Sequence, residues 1–214
     1  VDVADMPLLD RWILERLNAL IGECCAAYEA FEFRKVFSAV NNFATHDLSA
    51  LYIDITKDRM YCDRADSLRR RSTQTAMHRV MDALTRLLAP ILVFTADEAW
   101  EEFTKGDKSV HLQDFPKMTP DLDGSATATV KDLLKLRDII QVAIEERIKE
   151  KVFTKNNEAQ VTLRVSPETP SLNWLRQREF ATEFFILAGL KVIEDASVTE
   201  PMAKAEKTDY EMCP

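Results

Sequence analysis

The chain has 214 residues, 46% hydrophobic and 30% charged, enough for one good core and a smaller second one. Four glycines and 8% aromatic residues favour helices over a turn-rich β fold. No apolar run approaches the roughly 20 residues of a membrane span. The net charge of −8 argues against a generic nucleic-acid coat protein.

That charge is unevenly spread. Between Lys57 and Arg71 six basic residues (Lys57, Arg59, Arg64, Arg69, Arg70, Arg71) face three acidic ones (Asp58, Asp63, Asp66), the pattern of a protein that touches a polyanion at one place. The four cysteines include adjacent Cys24 and Cys25 and an isolated Cys62. They lack C-x₂-C spacing and read as structural thiols of a reducing compartment. His46, His78 and His111 show no metal spacing, and Glu101-Glu102 point different ways on a helix.

Asp5 with Pro7 in the first turn is expected to open a first helix. Leu9, Ile13, Leu17, Leu20, Cys24 and Tyr28 form its apolar stripe, widened by Trp12 and Ile21. Phe31-Glu32-Phe33 reads as a connection. Val36, Phe37, Val40, Phe43, Leu48, Leu51, Tyr52 and Ile55 carry a second helix that fades near Asp58 to Tyr61. Asp66 or Ser67 is expected to cap a third, running from Leu68 to the break at Pro90. Thr95-Ala96-Asp97-Glu98 has the form of a capping box for a fourth, with Ala99, Trp100 and Phe103 inside.

Together these predict a helical bundle. After a connector over 105–124, in which Ser109 to Leu112 is expected to be extended, Thr127 or Thr129 should start a long helix. Its stripe is Leu133, Leu136, Ile140, Ile144 and Ile148. Val161, Leu163 and Val165 alternate as a strand. Ser171 is expected to cap a short helix, Phe180 to Leu187 reads as another, and Leu190 to Ile193 is a candidate partner strand. The expected division is 1–118 bundle, 119–194 long helix plus small α+β subdomain, and 195–214 a disordered tail. The fold class is mainly α.

Several segments resemble one protein family in order along the chain. Leu9-Asp10-Arg11-Trp12-Ile13-Leu14 looks like the opening of the anticodon-binding bundle of class I synthetases for isoleucine, valine and leucine. Ser49 to Tyr61 (Ser-Ala-Leu-Tyr-Ile-Asp-Ile-Thr-Lys-Asp-Arg-Met-Tyr) resembles the isoleucyl branch, whose signature is Tyr-x-Asp-x-x-Lys-Asp-Arg-x-Tyr. Arg71 to Ala76, Leu88 to Trp100, and Ser109 to Leu112 with Phe115-Pro116 continue the likeness. At Lys151 to Ala159 the chain departs from the family's Lys-x-Ile-Gly-x-Ser-Leu-Glu-Ala form, lacking its Gly and Ser.

The resemblance to bacterial-type isoleucyl-tRNA synthetases implies an anticodon stem-loop-binding region with tRNA-Ile as its partner. Single-stranded RNA is read by stacking and base-edge hydrogen bonds, with basic side chains on phosphate. On that basis the resemblance nominates Lys57, Asp58, Arg59, Tyr61, Arg69, Arg70, Arg71 and Trp12 as RNA-contacting residues. Core packing is the competing reading for Trp12, and a solvated helix end with local ion pairs the competing one for the charged groups.

The family's His-Ile-Gly-His and Lys-Met-Ser-Lys-Ser type motifs do not occur here. The resemblance therefore implies that ATP, Mg and catalysis belong to upstream domains, as does editing, and no cofactor to this piece. Cys213-Pro214 resembles the first ligand of a C-terminal zinc knuckle, a truncated site in this chain. A start without Met suggests a piece of a longer protein, and the piece is expected to be cytoplasmic and monomeric. The alternatives are a valyl or leucyl relative, or a helical protein-interaction module.

Overall fold

The computed structural model describes residues 1–106 and 108–209. They fall into two compact units, Val1–Thr127 and Ala128–Pro214. The first extends past the expected boundary at 118 because Glu15 reaches beyond the connector, accepting from the Thr127 amide (2.6 Å) and hydroxyl (2.5 Å). Asn18 likewise pins Thr119, donating to its carbonyl (2.8 Å) and accepting from its amide (2.7 Å).

In the first unit α1 (Leu8–Glu29) buries Leu9, Ile13, Leu17, Leu20 and Cys24 as the periodicity predicts, together with Asp10, Trp12 and Leu14. Pro7, not Asp5, sits at its cap; the Asp10 and Arg11 amides both donate to the Pro7 carbonyl. Burial pushes the Cys24 thiol up to about 11, so it packs as a small neutral apolar group. α2 (Phe33–Asn42), a wider π-helical stretch (Phe43–Ile53) and α3 (Asp54–Tyr61) follow without a break, forming a single helical rod.

α4 (Leu68–Leu88) starts at Ser67, whose side chain accepts from the Arg70 amide (3.1 Å), and stops before Pro90 as expected. α5 (Val93–Thr104) begins three residues earlier than the capping box foretells, with Leu92 at its cap and Thr95 inside the helix. Asp97, in its second turn, accepts from the Ser109 hydroxyl (2.6 Å) and Val110 amide (3.0 Å). That pull draws Val110–Leu112 into a 3-10 turn rather than an extended segment. Val110 thereby closes a small core with Ala89, Ala96 and Trp100.

α6 (Ser125–Lys149) starts two residues ahead of Thr127. In the second unit Leu133, Leu136, Ile140 and Ile144 are buried. Arg137 donates to the Phe184 carbonyl (2.5 Å). α7 (Leu172–Leu175) and α8 (Arg178–Phe185) match the two short helices, though Ser171 makes no side-chain cap bond. β1 (Ala159–Val165) pairs in parallel with β2 (Gly189–Glu194), Leu163 opposite Val192.

The expected disordered tail is corrected over Met202–Lys207. This segment is β3, antiparallel to β1 on its other side, with Ala205 opposite Val161 and Ala203 opposite Leu163. The only apolar residues on its inner face are Ala203 and Ala205, too little to be read as a strand. Lys204, Glu206 and Lys207 protect the free edge. Cys213 lies outside the described residues.

Candidate nucleic-acid interface

The rod and its neighbours bring one end of α1, the end of α3 and the start of α4 together. Asp10 occupies the buried face of α1 with Ile13, Leu14 and Leu17. Tyr52, Ile55, Thr56 and Arg59 share the buried face of the rod, the i, i+3, i+4, i+7 spacing of a core stripe. Asp10 Oδ1 accepts from the Tyr52 hydroxyl (2.6 Å) and from the Thr73 hydroxyl of α4 (3.1 Å). Arg59 Nη1 donates to Thr73 Oγ1 (3.4 Å) and lies 3.6 Å from Asp10 Oδ2.

This placement corrects two nominated contacts. Arg59 is 1% exposed and Trp12 3%; both are inside the bundle and present nothing to a polyanion. The signal for Arg59 was in the sequence, since position 59 falls on the Tyr52–Ile55 stripe and a complementary Asp10 falls on the stripe of α1. Burial raises the Asp10 carboxyl above its ordinary range, with Arg59 pulling the other way. Burial likewise holds the Tyr52 hydroxyl well above its usual value, so it remains a donor. Because folded Asp10 holds its proton more tightly than unfolded Asp10, its ionisation costs stability as pH rises through that window.

The turn between α3 and α4 is built on Asp63. Arg69 grips its carboxylate with two bonds, Nε to Oδ2 (2.8 Å) and Nη2 to Oδ1 (2.7 Å). Arg70 Nη1 donates to the Asp63 carbonyl (2.7 Å). These two arginines are half-buried and serve the turn, so of the triple only Arg71 is fully outward. Its guanidinium makes no hydrogen bond or ion pair with the described residues.

Lys57 and Asp58 are exposed on the last turns of α3. Among the described residues Lys57 is held by Asp54 alone, at 3.1 Å, with both side chains near half-exposed. Such surface pairs contribute about 0–1 kcal/mol, so Lys57 can exchange its partner for a phosphate. The Tyr61 ring is 85% exposed, its face open to a stacked base. Arg64 projects from the turn, paired with Asp66 at 3.2 Å, both well exposed. Lys57, Asp58, Tyr61 and Arg71, joined by Arg64, thus form the outward surface of this end.

Among the described residues no three His, Cys, Asp or Glu side chains gather to hold a metal ion. No helix of the described residues is long and apolar enough to cross a membrane.

Two outcomes follow from the geometry. Replacing Arg59 by Ala leaves Asp10 buried with no countercharge, and urea unfolding should show a loss of about 3–5 kcal/mol. The paired Arg69 holds the Asp63 carboxyl below its ordinary range, its hydrogen bonds being the largest cause. The stabilisation is therefore complete above the ordinary carboxylate range and lost as pH falls through the depressed value. A carboxyl NMR titration of Asp63 should move up to the ordinary range in Arg69→Ala; an unmoved midpoint would remove Arg69 as the cause.

Comparison with known proteins bears on this surface. Residues 10–163 match the model of the anticodon-binding domain of tRNA ligases. The chain is 37% identical, over 99% of its length, to an isoleucine–tRNA ligase of Syntrophotalea carbinolica, covering 24% of that protein. It is 44% identical over 75% of its length to one from Carboxydothermus hydrogenoformans, covering 18%. With the Brachyspira hyodysenteriae enzyme it shares 33% identity over its whole length, again covering 24%. The chain thus spans up to about a quarter of these curated relatives.

Proposed function

The chain belongs to the anticodon-binding domains of tRNA ligases, and we propose that it holds the anticodon stem-loop of tRNA-Ile within an isoleucine–tRNA ligase. The names of its relatives support the amino acid. One observation carries the choice of surface: the end of α3 and the start of α4 turn Lys57, Tyr61, Arg64 and Arg71 outward, while Arg59, Arg69 and Arg70 are spent on the scaffold.

In this reading Lys57 and Arg71 neutralise phosphates, Tyr61 stacks on an unpaired base, and Asp58 accepts from a base amino group. Arg59 and Trp12 act only by holding the helices that carry these groups. The chain is a monomer of the cytoplasm that performs no chemistry. ATP, Mg and aminoacylation belong to other parts of the parent enzyme, and zinc to a knuckle that Cys213 would begin. Four ligands are needed for such a structural site. Specificity reaches the reaction by positioning the tRNA.

The test is a titration of the chain with tRNA-Ile anticodon stem-loop at several salt concentrations, with a valine stem-loop as competitor. Lys57→Ala and Arg71→Ala should each weaken binding and reduce the salt slope by about 1. Equal slopes for the variants and the unaltered chain would take these residues out of the interface. Equal competition by the valine loop would leave a backbone-contact surface that does not discriminate.

A further inference from the structure

The rod carries the same buried pattern twice. Val36, Ala39, Val40 and Phe43 are buried at i, i+3, i+4 and i+7, and Tyr52, Ile55, Thr56 and Arg59 repeat that spacing further on. Each set is a one-sided helical stripe. At about 100° per residue a regular α-helix would place the second stripe about 160° round from the first, on the opposite side of the rod. Yet both stripes are buried, and α1 packs against both α2 and the wide π-helical stretch.

The difference is made up between Phe43 and Ile53. Bonding from i to i+5 gives about 4.4 residues per turn, or about 82° for each residue. Winding at that rate from Phe43 to Tyr52 brings the second stripe to within about 10° of the first. Contacts with α1 mark the turns one by one, in antiparallel order. The Tyr52 hydroxyl donates to Asp10 (2.6 Å), Asp47 accepts from Arg16 (2.9 Å), and Phe43 lines a groove with Leu20. On the far side Thr45 and His46, then Ser49 and Ala50, are exposed. The Thr45 hydroxyl donates back to the Asn41 carbonyl (2.7 Å), a bond that disfavours regular α winding.

We propose that the wide stretch is a phase corrector: its 11 residues do the winding of about nine α-helical ones, so that both stripes are buried together. π-helical backbone is uncommon, and the two stripes supply the reason for so long a run of it. A rod of the same length wound throughout as α-helix could bury one stripe only. With Val36 to Phe43 inside, Tyr52 and Arg59 would turn to solvent and strand Asp10. With Tyr52 to Arg59 inside, Phe43 and Val36 would be the ones exposed. The corrector therefore sets which way the whole α3 end faces, Lys57 and Tyr61 included, whatever that surface binds.

The experiment uses the 214-residue chain and two deletions. Removing Ser49 and Ala50, both exposed, leaves a stretch that should wind as regular α-helix with the stripes still in phase. Its urea midpoint should equal or exceed that of the unaltered chain, and the Asp10 carboxyl should keep its raised NMR titration midpoint. Removing Asp47 to Ala50 takes out about one α-helical turn and should lose both signatures, although the Arg16 pair it deletes is partly exposed and contributes little. The reverse result, with the longer deletion tolerated and the shorter one not, would show regular winding and overturn the inference. Equal tolerance or equal loss of the two would overturn it too. Hydrogen-bond scalar couplings in the unaltered chain supply a check that needs no variant. Amides from Leu48 to Tyr52 should couple to carbonyls five residues back; couplings four residues back throughout would overturn the inference.

Discussion

A single buried carboxylate organises the bundle. Asp10 sits at a core position of α1 and accepts from Tyr52 in the rod and Thr73 in α4, with Arg59 alongside. Removing two opposite charges from water costs several kcal/mol each, and their attraction recovers that only when the remaining hydrogen bonds are made. The network is therefore a weak source of net stability and a strong constraint on register. A rod displaced by one residue would turn Arg59 through about 100° and leave Asp10 uncompensated. The outward positions of Lys57 and Tyr61 are fixed by the same registration, since they share the last turns of α3 with Arg59.

Division of labour among the basic residues follows from that constraint. Arg59 neutralises an interior charge, Arg69 and Arg70 build the turn on Asp63, and Lys57, Arg64 and Arg71 are left for solvent or a polyanion. An acidic chain with a locally basic stretch thus has a smaller free cationic surface than its composition suggests. A surface with so few free cations can make only a few phosphate contacts, and the affinity drawn from those would be modest.

Much of the helical architecture was legible from the sequence, because buried positions such as Leu9, Ile13, Leu17 and Leu20 repeat at the helical period and Ser67 and Pro90 punctuate α4. The misreadings have physical causes. Thr95 to Glu98 has the residues of a capping box, but the chain turns into helix right after Pro90, the Ala96 amide already donating to the Leu92 carbonyl (2.8 Å), so Thr95 falls inside α5. β3 was hidden because alanine suffices on a face already covered by Val161 and Leu163. Arg59 was nominated as a contact through the resemblance carried by Ser49 to Tyr61, and only the pairing of two core stripes reveals that it is buried.

The unbroken helix from Phe33 to Tyr61 makes the domain a ruler. Along it the end that carries Phe33 and the end that carries Lys57 and Tyr61 are joined by continuous helical backbone. Inserting one residue would twist one end against the other, whereas the wide turns between Phe43 and Ile53 are the kind of backbone that absorbs an odd residue within a helix. Length changes in this domain are therefore best tolerated in that stretch or in the connector beyond α5, and least tolerated in α3, where they would turn Arg59 away from Asp10 and Thr73.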